Sequence, residues 1–272
     1  MIVTRPWSFR PLVVASCVAA GVFAQAQVTG FSGFAATNGS AKLLAADTLQ
    51  LTDGIADTVG GAEHQAGSAF YGVQVDVVHG WTATFHYVAV TDPSNLPADG
   101  ITFVIQNDTR NTSALGDGGG GLGYGNVNND GLGITPSAAF ALNIWDNFGQ
   151  SPRGTELLST GAIDRNYTPL GNGIDLTSAV GVDVTLTYGN GLLSEHFQQG
   201  ALSWDSPTQQ AFVLSGVAIG GKAYIGFTGG DGYGLSDQRI SGFRFAPVPE
   251  PFTMGLGIAG ICLAVRRRLK AK

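Results

Sequence analysis

Short runs of alternating apolar and polar residues, separated by turn residues, extend along most of this chain. Every second residue from Trp81 to Ala89 is apolar, and Thr82, Thr84 and His86 lie between them. A period of two is typical of a β-strand with one buried face. Similar segments predict strands at residues 43–51, 69–77, 81–90, 101–106, 140–145, 182–188, 223–228 and 240–245. No amphipathic helix interrupts them, so the pattern predicts an all-β fold of two packed antiparallel sheets.

The composition supports one large domain over residues 27–246. Among 272 residues, 41 are glycine and 12% are charged, yet 44% are hydrophobic. Apolar residues are therefore numerous enough to form a substantial core. Cys17 and Cys262 lie in terminal apolar segments. The domain between them contains no cysteine, which excludes a disulfide framework, a thiolate metal site and a cysteine nucleophile.

The formal charge of −6 hides an uneven distribution of ionisable residues. Residues 27–247 contain 7 Lys and Arg against 19 Asp and Glu, a balance of −12, because the other basic residues cluster at the two ends. Such a surface repels phosphate backbones, which excludes a nucleic-acid partner. It is compatible with neutral ligands or divalent cations.

Residues 1–26 have the three parts of an export signal. Basic residues precede an apolar run over residues 12–23, which leads to Ala24-Gln25-Ala26, a small-x-small cleavage site. We expect signal peptidase to cut after Ala26. A lipid-attachment box that ends at Cys17 is the alternative, but its apolar core would be too short.

The C-terminal residues 247–272 combine a proline-rich motif, an apolar run over residues 252–265 and a basic cluster. Their order resembles the PEP-CTERM sorting signal of Gram-negative bacteria, with the motif and cluster at Pro249, Glu250, Pro251, Arg266, Arg267 and Arg268. The apolar run is shorter than the roughly 20 residues of a comfortable membrane span. The resemblance implies transient inner-membrane association, removal of the tail by an exosortase-type enzyme, and delivery to the envelope surface or extracellular matrix. An ordinary tail anchor is the alternative.

One stretch combines residue types that bind ligands through hydrogen bonds. Asp99 precedes the apolar segment at residues 101–106, and the run Gly118 to Gly121 follows closely. A carboxylate accepts two hydrogen bonds, and a loop without Cβ atoms lets a ligand reach backbone N–H groups. The pattern indicates a binding site. A turn at Asp99 and a flexible glycine loop are the alternative interpretation.

Segments in a fixed order resemble the L-type lectins, the legume-lectin-like family with the concanavalin A-like jelly-roll sandwich. They comprise Phe31, Phe34 and residues 49–52, 66–71, 81–85, 98–103, 119–123, 223–230 and 240–245. Together they cover nearly the whole chain between the terminal signals. The resemblance implies a jelly roll of two antiparallel sheets and a carbohydrate partner, a glycan or exopolysaccharide.

The resemblance also implies roles for individual residues. In the family, an Asp that follows a cis peptide bond accepts hydrogen bonds from sugar hydroxyls, and this position is Asp99. A glycine N–H donates to the sugar, which corresponds to Gly120 with Gly119 beside it. In the family, the loop after the strand that ends in Gly-Phe forms a wall that sets sugar specificity. Here that strand is the segment at residues 223–228, and the loop is residues 229–233 with Gly230 and Asp231.

The family binds calcium and manganese as a pair through a Glu and an Asp. No alignment of this sequence places both residue types at those two positions. With the strand in phase, Asn143 replaces the Glu and Trp145 replaces the Asp, and neither binds a hard cation well. A shift of one residue places Asp146 on the Asp but Ile144 on the Glu. We expect the paired site to be lost, with Asp146 as the one candidate metal ligand.

Further candidates follow the metal segment or precede it. Asn147 corresponds best to the family's sugar-contacting Asn, and Phe148 to its stacking aromatic residue.

Residues 126–131 begin like a calcium-binding loop, but Ser137 stands where a bidentate Glu is needed. We expect a solvated Asn-rich loop there, with bound calcium as the alternative.

The acidic residues do not form a catalytic pair. A glycosidase needs two carboxylates across one bond, and none of the domain's Glu residues lies two or four positions from another acid. The histidines are scattered without metal-ligand spacing. We expect an exported carbohydrate-binding protein of the bacterial envelope surface or matrix, not an enzyme. A structural or adhesive matrix protein that keeps the fold without sugar binding is the alternative.

Overall fold

The computed structural model describes residues 27–55, 64–150 and 152–248. The predicted signal peptide and the sorting motif with its apolar run and basic cluster therefore lie outside the described residues. Within the three described ranges, no helix is long and apolar enough to cross a membrane.

Short β-strands provide nearly all the regular structure of the described part. They are β1 (Val28–Thr29), β2 (Phe34–Gly39), β3 (Lys42–Ala45), β4 (Thr48–Asp53), β5 (Gln65–Tyr71), β6 (Val75–Asp76), β7 (Trp81–Val90), β8 (Gly100–Gln106), β9 (Ser137–Asn143), β10 (Gly154–Ser159), β11 (Thr168–Pro169), β12 (Val182–Gly189), β13 (Leu192–Gln199), β14 (Leu202–Asp205), β15 (Gln210–Ala211), β16 (Lys222–Asp231) and β17 (Asp237–Pro247). Two 3-10 turns, η1 (Asn111–Ser113) and η2 (Gly119–Gly121), lie between β8 and β9.

The strands form two antiparallel sheets, which confirms the predicted fold class. Sheet A has the order β14-β13-β12-β7-β17-β4-β3, with β1 paired to β17 and β15 paired to β13. Sheet B has the order β11-β10-β9-β8-β16-β5-β2, with β6 paired to β16. Neighbours in each sheet are often distant in sequence, as in a jelly roll.

The predicted strand boundaries hold where the alternation is strict. Strand β7 begins and ends as predicted, and its buried residues alternate with partly exposed ones. The single strand predicted at residues 43–51 is wrong, because β3 and β4 form a hairpin that turns at Ala46 and Asp47. The carbonyls of these two residues accept hydrogen bonds from Phe31 at 2.8 Å and Gly242 at 3.2 Å, outside the hairpin. The strand predicted at residues 69–77 likewise separates into β5 and β6.

The main hydrophobic core lies between the facing sheets. Trp81 of β7 is 1% exposed and packs against Tyr188 of sheet A at a ring-centroid distance of 5.2 Å. Its ring also contacts Phe103 of sheet B at 5.9 Å. Large aromatic rings bury much apolar area, so the contact between Trp81 and Phe103 helps to hold the two sheets together.

The outer face of sheet B is also covered, by the segment of residues 107–136. Leu122 and Tyr124 of this segment pack against apolar residues of the sheet such as Val104. Thr228 Oγ1 donates to the Leu122 carbonyl at 2.6 Å. Strand β8 is therefore buried on both faces, and the η2 glycines are held against sheet B.

One carboxyl group lies inside the core. Glu195 of β13 is 2% exposed and accepts hydrogen bonds from Thr155 Oγ1 at 3.0 Å and Gln210 Nε2 at 3.2 Å. Burial raises its pKa from 4.5 to about 7, although the Thr155 hydrogen bond acts in the opposite direction. The unfolded chain loses this proton at lower pH than the folded chain does. Stability therefore falls as the pH rises between these two pKa values.

We expect Glu195→Gln to remove this contribution to the pH dependence. The variant should be more stable than the wild type by about 2 kcal/mol at pH 8 and nearly equal to it below pH 4.5, as measured by urea unfolding. Asp205→Asn is the matched control, because the Asp205 side chain is 75% exposed. A Glu195→Gln variant less stable than the wild type at pH 8 would contradict this account.

Candidate functional site

Several chain segments meet at one end of sheet B, because neighbouring strands run in opposite directions. Asp99 precedes β8, whose first residue Gly100 lies opposite both Asn143 at the end of β9 and Gly230 of β16. His64 precedes β5, which begins at the same end of the sheet. The fold therefore brings together residues that are up to about 170 positions apart in sequence.

A cavity of about 370 Å³ opens at this end of the sheet, and we call it the Asp99 pocket. Its volume falls within the range of roughly 300–1,000 Å³ that is typical of small-molecule sites. It brings together four predicted site residues, Asp99, Gly119, Gly120 and Asn147. The remaining residues of its wall are His64, Asn143, Trp145, Arg165, Tyr167, Gly232 and Tyr233.

Asp99 is held through its backbone, and its buried side chain has one oxygen atom without a partner. Its N–H donates to the Gly230 carbonyl at 2.9 Å, and its carbonyl accepts from the N–H groups of Ile144 at 2.9 Å and Trp145 at 3.3 Å. The Ala98–Asp99 peptide bond is cis, as the family resemblance implies. Asp99 is 7% exposed, and its Oδ2 atom has no hydrogen-bond partner among the described residues. A ligand hydroxyl can satisfy this acceptor.

Two neighbouring carboxyl groups have raised pKa values. Burial raises the pKa of Asp99 to about 7, and the charge of Arg165 lowers it in part. Burial also raises the pKa of Asp231 to about 7, while the hydrogen bond from the Gln65 N–H at 3.1 Å opposes this shift. The charge of Asp99 raises the pKa of Asp231 further. Arg165 is thus the group that favours the ionised form of Asp99 near neutral pH.

The glycines of η2 leave backbone N–H groups free at the pocket. Gly119 has a φ of +55°, which favours glycine, and a Cβ atom there would lie 3.1 Å from His64 Nδ1. Within the described ranges, the N–H groups of Gly119 and Gly120 donate to no backbone or side-chain acceptor. Both glycines line the cavity, and a donor role toward a ligand remains the prediction for Gly120.

Three aromatic residues form a rim beside the pocket. Trp145, Phe148 and Tyr233 contact one another edge to face, with ring centroids 5.2 to 6.2 Å apart. Phe148 is 64% exposed and Tyr233 is 73% exposed. Phe148 supports the rim but does not line the cavity, whereas Trp145 and Tyr233 do. Exposed rings of this kind can stack on the apolar face of a sugar.

The sequence did not assign a role to His64, Arg165 or Tyr167. Arg165 lies on the loop after β10, where the buried Glu156 carboxylate accepts the N–H groups of Arg165 at 3.2 Å and Asn166 at 2.8 Å. Glu156 therefore holds the loop that carries Arg165 to the pocket. The one available signal in the sequence was the presence of a basic residue in a strongly acidic domain.

Two predicted site residues, Gly230 and Asp231, lie behind the pocket wall. The Gly230 carbonyl accepts hydrogen bonds from the Asp99 N–H and from Gln238 Nε2 at 2.8 Å. Asp231 is 0% exposed, so a ligand in the pocket does not reach it. These residues support Asp99, and Gly232 and Tyr233 supply the surface of the predicted specificity wall.

The residues of the predicted metal segment do not fit a calcium and manganese pair. Asn143 points its amide at the Trp145 carbonyl, which accepts a hydrogen bond from Nδ2 at 2.6 Å. Asp146 forms an ion pair with Arg153, whose Nη2 lies 3.1 Å from Oδ2. Arg153 Nε also donates to the Ile144 carbonyl at 2.8 Å. A side-chain amide and a guanidinium thus bind the groups that metal ligation would require.

The Asn-rich segment also uses its oxygen atoms within the protein. Asn126 Oδ1 accepts the Gly131 N–H at 3.1 Å, and Asp130 Oδ1 accepts the Leu132 N–H at 3.1 Å. Residues 128–132 are exposed, in agreement with the predicted solvated loop. In the part of the chain that the structure describes, no group of three or more His, Cys, Asp and Glu could hold a metal ion.

Comparisons with known proteins bear on the fold. No family model matches the sequence. The metal-free form of lectin I-B4 from Griffonia simplicifolia is 19% identical with a TM-score of 0.64, over 82% of this chain and 100% of that chain. A lectin from Bauhinia forficata in complex with GalNAc is 19% identical with a TM-score of 0.60, over 82% and 98%. The VIP36 exoplasmic/lumenal domain in its Ca²⁺/Man3GlcNAc-bound form is 15% identical with a TM-score of 0.55, over 79% and 84%.

These similarities extend over the whole sandwich and nearly the full length of the plant lectins. The sequence identities are low, so the comparisons establish the architecture and leave the ligand to be argued from the pocket. The chain has the L-type lectin fold, the jelly-roll sandwich of the legume lectins.

Proposed function

We propose that this chain is a carbohydrate-binding protein and that the Asp99 pocket is its sugar site. The observation that carries the proposal is the buried, unpartnered Oδ2 atom of Asp99, a residue that lines an open cavity. A buried acceptor without a donor costs about 1–3 kcal/mol, and a ligand hydroxyl removes that cost. The saccharides bound to the Bauhinia forficata lectin and to the VIP36 domain support a glycan as the ligand class.

The chemistry of the pocket matches that of a sugar ring. Asp99 accepts hydrogen bonds from hydroxyl groups, and the free N–H groups of Gly119 and Gly120 donate to oxygen atoms. Trp145 and Tyr233 offer apolar rings to the C–H face of the sugar. Asn147 supplies an amide that both donates and accepts. The unpartnered Oδ2 atom of Asp99 favours sugar binding over a purely structural or adhesive role for the fold.

The proposed activity is binding without catalysis. Glycoside hydrolysis needs two carboxyl groups that reach the same bond. Asp231 is near enough to Asp99 to have its pKa raised by it, but Asp231 has no exposed surface. Of these two carboxyl groups, the pocket therefore offers only that of Asp99 to a saccharide.

The proposed site works without a bound metal pair. In our proposal Asn143 and Arg153 stabilise the segment of residues 143–147 through the contacts to Trp145, Ile144 and Asp146. Since Trp145 and Asn147 belong to this segment, these contacts position two residues of the pocket wall.

We also propose that the protein reaches its glycan outside the cell. The N-terminal signal would direct export with cleavage by signal peptidase. The C-terminal PEP-CTERM-like tail would then direct sorting by an exosortase-type enzyme to the envelope surface or matrix, where exopolysaccharide is the available ligand. Substitution of Glu250 with Ala should leave the unprocessed protein in the membrane fraction, as an immunoblot of fractionated cells would show.

A glycan array run with calcium and manganese, and again with a chelator, tests the proposed function. We expect binding to a defined set of glycans in both conditions, with less than about a twofold change on chelation. Binding that disappears with the chelator would contradict metal independence but preserve the lectin assignment. The absence of binding in both conditions would contradict the lectin assignment itself.

A further inference from the structure

The Asp99 pocket contains a positive charge that the recognition of neutral hydroxyl groups does not need. Residues 27–248 contain seven Lys and Arg residues, and four of them form ion pairs, Lys42, Arg110, Arg153 and Arg239. Arg165 forms no ion pair or side-chain hydrogen bond with any residue of the described ranges, although 19 acidic residues compete for cations in the domain. An unpaired guanidinium at a cavity wall is available to a ligand.

The loop that carries Arg165 is fixed by other parts of the site. The Glu156 carboxylate accepts the N–H groups of Arg165 and Asn166, so this buried acid is engaged with the backbone and not with the guanidinium. A Cβ atom added to Gly120 would lie 3.3 Å from Arg165 Nη2. The guanidinium therefore lies against the same glycine turn that lines the pocket.

Asp99 and Arg165 place opposite charges beside two neighbouring glycines of this turn. A Cβ atom at Gly119 would lie 3.7 Å from Asp99 Oδ2, whereas the one at Gly120 would lie 3.3 Å from the guanidinium. Ionised Asp99 accepts hydrogen bonds only, and Arg165 donates them only. A matching ligand therefore carries hydroxyl groups on one side and an anionic acceptor close by on the other.

We propose that the pocket selects acidic sugars, hexuronic acid residues whose ring hydroxyls bind Asp99 and whose carboxylate binds Arg165. This inference rests on the proposed sugar-binding function. In a hexuronic acid, the ring carbon that bears the carboxylate is next to a ring carbon that bears a hydroxyl group. Both groups therefore fit within one small pocket. The planar guanidinium matches a carboxylate through two parallel hydrogen bonds, which a hydroxymethyl group does not allow. A carboxylate at Asp99 itself would be repelled, so the two charges also fix the orientation of the ring.

Titration calorimetry with matched methyl glycosides tests this selectivity. Glucose, galactose and mannose glycosides are each compared with the corresponding uronic acid and with its neutral methyl ester, at pH 8.5 where Asp99 is ionised. We expect a uronic acid to bind about tenfold more tightly than its neutral counterpart and its ester. Arg165→Gln should remove this preference, so that a uronic acid, its neutral counterpart and its ester bind this variant with equal affinity.

Two further variants separate local from general charge effects. Arg165→Lys keeps the charge but loses the paired geometry, so we expect an intermediate preference. Arg244→Gln removes another arginine that forms no ion pair within the described ranges and lies by a different cavity, so it should keep the full preference. Equal affinities for acid and neutral sugars, or a preference that survives in Arg165→Gln, would overturn this inference while leaving the lectin assignment intact. No binding of any saccharide would overturn both.

Discussion

Asp99→Asn is expected to weaken saccharide binding at pH 8 by about 100-fold, or about 3 kcal/mol. Asparagine keeps the shape of the side chain, but it loses the charge and one of the two acceptor oxygens. The buried Oδ2 atom has no protein partner among the described residues, so a ligand hydroxyl would be its first hydrogen-bond donor. Titration calorimetry with the best glycan from the array measures the loss.

The same substitution is expected to stabilise the fold. Burial raises the pKa of Asp99 from 3.8 to about 7, so the folded protein holds this proton over a pH range in which the unfolded chain has released it. The cost to stability grows as the pH rises through that range and is absent below it. Asp99→Asn should therefore be about 2 kcal/mol more stable than the wild type at pH 8 and equal to it at pH 3.

These opposite effects distinguish a binding residue from a structural one. In the wild type, affinity for a neutral saccharide should rise about tenfold from pH 6 to pH 8, because ionised Asp99 is the form that accepts hydroxyl hydrogen bonds. Asp183→Asn, at a carboxylate that is 67% exposed, is the matched control and should change neither property. An Asp99→Asn variant that unfolds more easily at pH 8 and binds normally would contradict the proposed site.

Gly232→Ala is expected to weaken binding by about 30-fold without unfolding the protein. A Cβ atom at this position would lie 3.1 Å from Asp99 Oδ2 and 2.6 Å from His64 Nδ1. The methyl group therefore occupies the space through which a ligand hydroxyl reaches Asp99. The exposed His64 side chain can rotate away, so the fold accommodates the substitution while the acceptor remains covered.

The matched control for Gly232→Ala is Gly189→Ala. No atom lies within 4 Å of a Cβ atom at Gly189, which belongs to the hairpin of β12 and β13 in sheet A. This variant should bind saccharide with wild-type affinity. Thermal unfolding of both variants monitors the fold, and wild-type binding by Gly232→Ala would mean that ligands approach Asp99 from another side.

Strict alternation predicted the strands most accurately, as β7 shows at both of its ends. The alternation reports burial against a facing sheet, which is the dominant free-energy term. The β3–β4 hairpin was missed because its turn at Ala46 and Asp47 contains neither glycine nor proline. Hydrogen bonds from the distant residues Phe31 and Gly242 fix that turn, and local sequence does not contain such information.

The pocket was predictable where a residue lies in a recognisable segment. Asp99, Gly119 and Gly120, which the resemblance singled out as sugar contacts, all line the cavity. Arg165 was not predictable, because its loop has no motif and its position depends on the Glu156 carboxylate of the preceding strand. Asp231 lies behind the wall, a placement that was not predictable because sequence order alone does not tell which face of the last residues of β16 meets the cavity.

The pocket wall comes from six separate chain segments, at residues 64, 99, 119–120, 143–147, 165–167 and 232–233. Only the complete sheet B and the segment across its outer face bring them together. The proposed saccharide binding should therefore report the completion of folding, and a chain cleaved within sheet B should lose its fold and its binding together. By mass action, a ligand that binds this assembled end and not the unfolded chain raises the thermal stability of the whole domain.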